Sequence, residues 1–365
     1  YRDICRLVGE CGAAEPQVTV MCRSAADLGL PEHSVDLVCI DPPYYNNVQY
    51  AELSDYFYVW QRRTLGDLYP QLFHRRLTNK LDEAVANPHR DGSAKRAAQT
   101  YERLMSEIFR ECHRVLKDDG IMTIMFTHKT QSAWEALTRS LIINNFVITS
   151  CIPVESESSR DIHHQGMAAP VSSIFLTCRK RATDSAMPTT WSGFGGRGVA
   201  QRVREAVRLG LQEFEKLKLN PVDEMVASYG RALRVLSENW PVYDGDEIVS
   251  PSRAMDEASA VVTHYQIERI TSGRLRVEDL KSESAMAITL LGIFGLSQFA
   301  FDEALNISRA LGIKLEVRHT GYEVQDEIIG ISDESTGRRG RRAVKDHEED
   351  SRYHAPLLRN GSKLR

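Results

Sequence analysis

The sequence predicts a mixed α/β protein, a doubly wound sheet followed by a helical region. Three observations lead there. Short apolar runs of strand length stand at 35–40, 121–126, 146–152 and 171–178. Between them lies helical apolar spacing, as at Leu104, Ile108, Cys112 and Val115. From Val199 onward helical spacing alone remains. Strands that alternate with helices fit a parallel sheet with crossovers, and two successive strands at the end fit a terminal hairpin.

Taken in order, residues 1–12 read as a short lead-in with helical character, 18–22 as a β-like run and 24–33 as a polar loop. The run Val35–Ile40 is long enough for one buried parallel strand. Residues 50–63 carry near-helical spacing and five aromatics, Tyr50, Tyr56, Phe57, Tyr58 and Trp60. The helix either backs the preceding turn, or its rings are mostly core. Residues 61–100 hold eight Lys/Arg against four Asp/Glu, a basic insertion suited to phosphates or a solvated surface segment. A helix over 101–116 is expected to end at Asp118-Asp119-Gly120, where glycine suits a left-handed cap. A helix over 134–143 precedes the last two strands, which Arg179-Lys180-Arg181 closes. Residues 183–198 read as a linker, 199–330 as a helical region and 331–365 as a flexible charged tail. Helices are expected at 199–219, 225–238, 252–270, 284–296 and 301–311.

Composition narrows the class. With 42% apolar and 26% charged residues among 365, the chain reads as a soluble globular protein with room for more than one domain. No apolar run approaches the roughly 18 residues of a membrane span, and no signal peptide stands at Tyr1. The seven cysteines form no C-x-x-C pair, so they read as reduced residues of a cytoplasmic protein, with no metal site. A net charge of −4 confines any nucleic-acid contact to local basic patches. The opening at Tyr1 reads as the middle of a domain, hence a fragment.

The chemistry concentrates where the first strand ends, in Asp41-Pro42-Pro43-Tyr44. Ligands in open α/β sheets bind beyond the carboxyl ends of strands. An exocyclic aromatic amine is a poor nucleophile because its lone pair is delocalised. The Asp41 carboxylate and the Pro42 carbonyl are expected to accept its two N–H bonds. Pro43 stiffens the turn, and Tyr44 stacks on a base turned out of its helix. These residues resemble the amino-methyltransferases of nucleic acids, whose Asp-Pro-Pro-Tyr form is typical of adenine-N6 DNA methylases. The longer string from Asp41 through Trp60 resembles one branch, the large adenine-specific methylases that carry the DUF1156 domain. The plain alternative is an ordinary strand followed by a Pro-Pro turn.

The resemblance implies a Rossmann-like class I methyltransferase sheet, incomplete at its N-terminus, with the last strand inserted antiparallel. It implies S-adenosylmethionine as methyl donor and double-stranded DNA as partner. That branch often stands near phage-defence genes, which adds other defence-system subunits as partners. Ser24 and Ala25, after the third strand of the family pattern, together with Asp41, are then the donor-binding residues. Related enzymes often carry an acid where this chain has Ser24, while Asp27 reads better as a turn or capping residue. Tyr45, Asn46 and Asn47 are expected to meet the substrate. His128 and Lys129 follow a strand edge, where the family has a pair bordering the base pocket. Their alternative is a solvent-facing loop. His163 and His164 lie in a polar stretch suited to touching DNA and lack partners at metal-ligand spacing.

The donor's glycine-rich turn is not found before Val18. Phe194-Gly195-Gly196-Arg197-Gly198 fits its spacing and precedes a helix, as in permuted methylases, but no apolar strand aims it. The leading expectation is adenine-N6 methylation of DNA. Cytosine-N4 methylation, amide or guanine methylation of protein or RNA, and a catalytically silent DNA-binding or scaffold subunit are the alternatives.

Overall fold

A computed structural model describes residues 18–128, 130–155, 172–182, 189–193 and 197–294, with short stretches at 299–300, 304, 307–308, 311, 316–318, 328–330 and 352–353. The lead-in over 1–12 lies outside these residues, as do most of the expected 301–311 helix and nearly all of the tail over 331–365.

One four-stranded sheet organises the first half. Its strands are β1 (Val35–Ile40), β2 (Leu116–Phe126), β3 (Phe146–Glu155) and β4 (Ser172–Lys180), in spatial order β1-β2-β4-β3. β1 runs parallel to β2, and β4 lies antiparallel between β2 and β3. The fold is therefore mixed α/β with parallel and antiparallel strands. The antiparallel last strand agrees with the expectation. Met122, Ile124 and Phe126 alternate with less buried residues along β2, the period of a strand with one face packed.

Three sequence expectations need correction here. β1 is not a buried strand, because among the described residues it pairs along one edge alone, and Leu37 and Cys39 are exposed. Residues 18–22 form no strand; among the described residues none supplies the ladder that their amides need, and Val18 and Val20 are exposed. Asp118-Asp119-Gly120 does not end a helix, since the helix stops at Val115 and these residues make an irregularity inside β2. There Val35 pairs with Leu116 and Leu37 already with Ile121.

Helices α1 (Tyr50–Leu65), α2 (Pro88–Asp91), α3 (Ala94–Val115) and α4 (Gln131–Ile143) connect the strands. Ser93 caps α3 by accepting from the Arg96 N–H, which starts the helix earlier than its apolar stripe suggested. The second half contains α5 (Val199–Leu217), α6 (Pro221–Glu238), α7 (Pro251–Ile270) and α8 (Ser282–Phe294). Asn220 and Ser250 cap α6 and α7, each followed by proline at the first helical position, where the missing N–H costs nothing.

The helical region packs against the sheet. Thr189–Thr190 forms β5, which pairs with β6 (Val242–Asp244), and Trp191 beside it is buried. α6 packs on β3 so closely that a Cβ at Gly230 would stand 1.9 Å from the Cys151 sulfur. The Ile148 N–H donates to Ser237 Oγ at 3.0 Å, and Arg181 donates to the Ser237 carbonyl at 2.6 Å. Sheet and helices share one hydrophobic core, from Tyr101 and Phe126 to Leu233 and Val262. Inside it the buried Glu224 carboxylate is satisfied by Gln266 and Arg269.

Candidate functional site

The carboxyl end of β1 delivers Asp41 into a cleft of about 870 Å³. Its lining brings Ser24, Ala25, Asp41, Pro43 and Tyr44 together, although the first two stand well before the turn in sequence. That volume lies within the roughly 300–1,000 Å³ of small-molecule sites. Pro42 joins Asp41 to Pro43 in the same turn. Tyr45, Asn46, Asn47 and His128 are not part of this lining, and Lys129 lies outside the described residues.

The turn is held in a costly backbone conformation. Tyr45 has φ +57°, left-handed space that an aromatic residue enters at a cost on the order of 1 kcal/mol or more. Four contacts hold it there. Tyr45 donates to the Pro43 carbonyl at 3.0 Å, and its own carbonyl accepts from the Ala86 N–H at 2.9 Å. Its ring meets Tyr101 edge-on at 5.1 Å and His128 at 5.7 Å. The fully buried Tyr101 donates its hydroxyl to the Pro43 carbonyl at 3.1 Å. Tyr44 rests edge-on against Phe126 at 5.4 Å. Its hydroxyl is enclosed beside Asp41 and Ser173. Burial first, and the Asp41 carboxylate next, push its phenol well above the usual range.

The segment 78–92 folds back over this turn, which the sequence did not reveal. Glu83 accepts from the Ala51 N–H at 2.8 Å and so caps α1, while Asp82 and Glu83 both line the cleft. Arg90 donates to the carbonyls of Lys80, Glu83 and Val85 and pairs with Asp91, and Lys80 pairs with Asp55 at 2.6 Å. These two cations hold the insertion together. Arg62, Arg63, Arg75 and Arg76 are exposed and make no ion pair among the described residues. Most of the α1 aromatics are not core, which corrects the sequence reading; Tyr56, Phe57 and Trp60 are each more than half exposed. Their spacing encodes an inward face, but no described element covers it.

The loop over residues 24–30 is tethered from a distance. Ser24 Oγ accepts from the Ala26 N–H at 3.2 Å, and Leu28 N–H reaches Glu111 on α3 at 2.9 Å. Arg114 forks onto the same carboxylate and also donates to the Leu30 carbonyl. Arg114, and then Leu28, hold the Glu111 carboxyl below its ordinary 4.5. A carboxyl lowered on folding stabilises above its unfolded value, and that contribution is lost as pH falls through the folded one. Protection of the Leu28 amide from hydrogen exchange is therefore expected to stay level above pH 4.5 and to collapse below it. In Glu111→Leu it should be absent at every pH. Equal protection in both proteins would show that another group holds the loop.

His128 is 3% exposed and so does not itself face solvent. Its Nε2 faces Asn46 Oδ1 at 3.1 Å, and Trp134 donates to its carbonyl at 2.8 Å. His163 and His164 lie outside the described residues, as do Phe194, Gly195 and Gly196. The described remnants of that glycine turn, Arg197 and Gly198, are not in the cleft lining. Among the described residues no group of His, Cys, Asp and Glu is arranged to hold a metal, and no helix is long and apolar enough to cross a membrane.

Residues 35–177, from the start of β1 almost to the end of β4, match a family model described as DNA methylase, of the N6/N4 type. No curated protein gives a significant match.

Proposed function

We propose, because residues 35–177 match a family model described as DNA methylase of N6/N4 type, that this chain methylates the exocyclic N6 amine of adenine in DNA. The family match indicates a DNA methyltransferase acting on adenine N6 or cytosine N4. The choice of adenine rests on Asp at position 41, since Ser is commoner there in cytosine-N4 enzymes.

The single observation that carries the chemistry is the Asp41–Tyr44 turn at the carboxyl end of β1, open to the cleft. Asp41 and the Pro42 carbonyl accept the two N–H bonds of the target amine. The nitrogen lone pair is then withdrawn from the ring and aimed in one direction, the benefit of fixed acceptors over mobile water. Tyr44 offers its ring to the flipped base, braced from behind by Phe126. When the nitrogen gains its methyl group it sheds one proton, for which the Asp41 carboxylate, already accepting one of the N–H bonds on this reading, is an acceptor.

S-adenosylmethionine supplies, when bound, an electrophilic methyl group on a sulfonium. The cleft fits such a molecule in size and in charge. Asp82 and Glu83 suit its ammonium and ribose hydroxyls, and Ser24 with the Ala25 backbone suits its adenine. The exposed aromatics of α1, beside arginines that make no ion pair among the described residues, support a DNA-facing surface, with phosphates on Arg62, Arg63, Arg75 and Arg76. Defence-system subunits are further partners on this reading.

The test is nucleoside analysis of DNA incubated with the chain and labelled donor. N6-methyladenine is the expected product. N4-methylcytosine would overturn the choice of base. No product, together with no donor binding in calorimetry, would overturn methylation by this chain and leave a fragment or a silent DNA-binding subunit.

A further inference from the structure

One exposed amide near the Asp41 turn is oriented by a buried histidine. His128 Nδ1 accepts from the Thr130 N–H at 3.0 Å. A backbone N–H can only donate, so this ring nitrogen carries no proton. A neutral imidazole then carries its proton on Nε2, and Nε2 donates to Asn46 Oδ1 at 3.1 Å. The amide oxygen of Asn46 is thereby occupied, and its NH₂ group is turned away from the histidine. Asn46 itself is exposed, whereas the histidine that orients it is buried and pinned by Trp134 and Tyr45. Because Ile40 pairs with Ile124, the Asp41 turn and the residues after β2 emerge at the same sheet edge.

We propose that Asn46 is a specificity-determining residue whose amide N–H donates to the ring nitrogen beside the target amine, and that His128 is its positioning residue. This rests on the methylation reading above. Adenine N1 and cytosine N3 are acceptors next to an exocyclic amine. The corresponding nitrogens of guanine and thymine carry hydrogen and would face the amide donor to donor. A site built to hydrogen-bond rejects the partner that cannot answer, because its own polar group is left unpaired. Asp41 and Asn46 together would then read amine and neighbouring acceptor as one pattern.

The experiment compares kcat/KM on duplexes that carry adenine or 1-deazaadenine at the methylated position, the analogue having C–H in place of N1. If the product proves to be N4-methylcytosine, 3-deazacytosine is the matching probe. The unaltered chain should disfavour the analogue by about tenfold or more, the scale of one lost hydrogen bond. Asn46→Ala should methylate both duplexes at the same reduced rate. His128→Gln, which keeps an N–H donor, should retain discrimination, and His128→Leu should lose it. Asn46→Ala discriminating as well as the unaltered chain would overturn the proposal while leaving the methylation reading intact. Absence of methylation of either duplex by the unaltered chain would overturn that reading, and the proposal with it.

Discussion

Asp41→Ala should lower methyl transfer by about two to three orders of magnitude, the scale seen when one preorganised polar partner of a reacting group is removed. The argument rests on direction rather than on charge alone. Without the carboxylate the amine keeps one fixed acceptor, the Pro42 carbonyl, and its lone pair returns to the ring. Because Asp41 is exposed, the substitution should leave stability within about 0.5 kcal/mol. Loss of activity would therefore not be loss of fold. Asp41→Asn keeps one acceptor oxygen and should fall between the two. Removing the carboxylate should also bring the Tyr44 phenol down toward its ordinary range, since Asp41 is the second cause of its elevation after burial. The measurement is incorporation of labelled methyl into DNA at matched protein concentration. Undiminished transfer by Asp41→Ala would sink the assigned role.

The second large effect is expected at Trp134, which is not itself part of the cleft lining. Its ring is fully buried and meets Phe126 edge-on at 4.9 Å, and Phe126 in turn meets Tyr44. Its N–H holds the His128 carbonyl at 2.8 Å. Trp134→Ala should cost about 3–5 kcal/mol in denaturant unfolding, as large aromatic deletions do when the cavity cannot close. Trp134→Phe keeps most of the packing and should cost mainly the hydrogen bond, on the order of 1 kcal/mol. The two variants thus separate the ring from its N–H. A loss below about 1 kcal/mol for the alanine variant would mean that the surroundings collapse into the space.

The parts of this protein that were legible in its sequence are those whose cause is local. The Asp41–Tyr44 turn, the strand cores and most helices follow from short-range periodicity and turn chemistry. Helix starts were displaced where a cap, rather than an apolar stripe, defines them. Asn220-Pro221 and Ser250-Pro251 carried that signal in plain view. Ser93 carried it too, ahead of a first turn that is mostly exposed. The supports of the candidate site were not legible, because they act across long stretches of chain. Glu83 reaches Ala51 over 32 residues and Glu111 reaches Leu28 over 83, and no spacing rule links such pairs. The aromatic stripe on α1 misled for a different reason. Spacing reports which residues share a face, and it is silent on whether anything lies against that face.

The seat of α6 on β3, where Gly230 meets Cys151, also has a bearing on how the chain is made. Synthesis proceeds from the N-terminus, so β3 and β4 emerge before the helix that covers them. Until residues 221–238 leave the ribosome, Cys151 and Ile174 have no lid, and a nascent sheet with apolar surface in water is prone to association. Pausing translation between β4 and α6 should therefore lower the soluble yield more than pausing after α6, although the finished protein is identical.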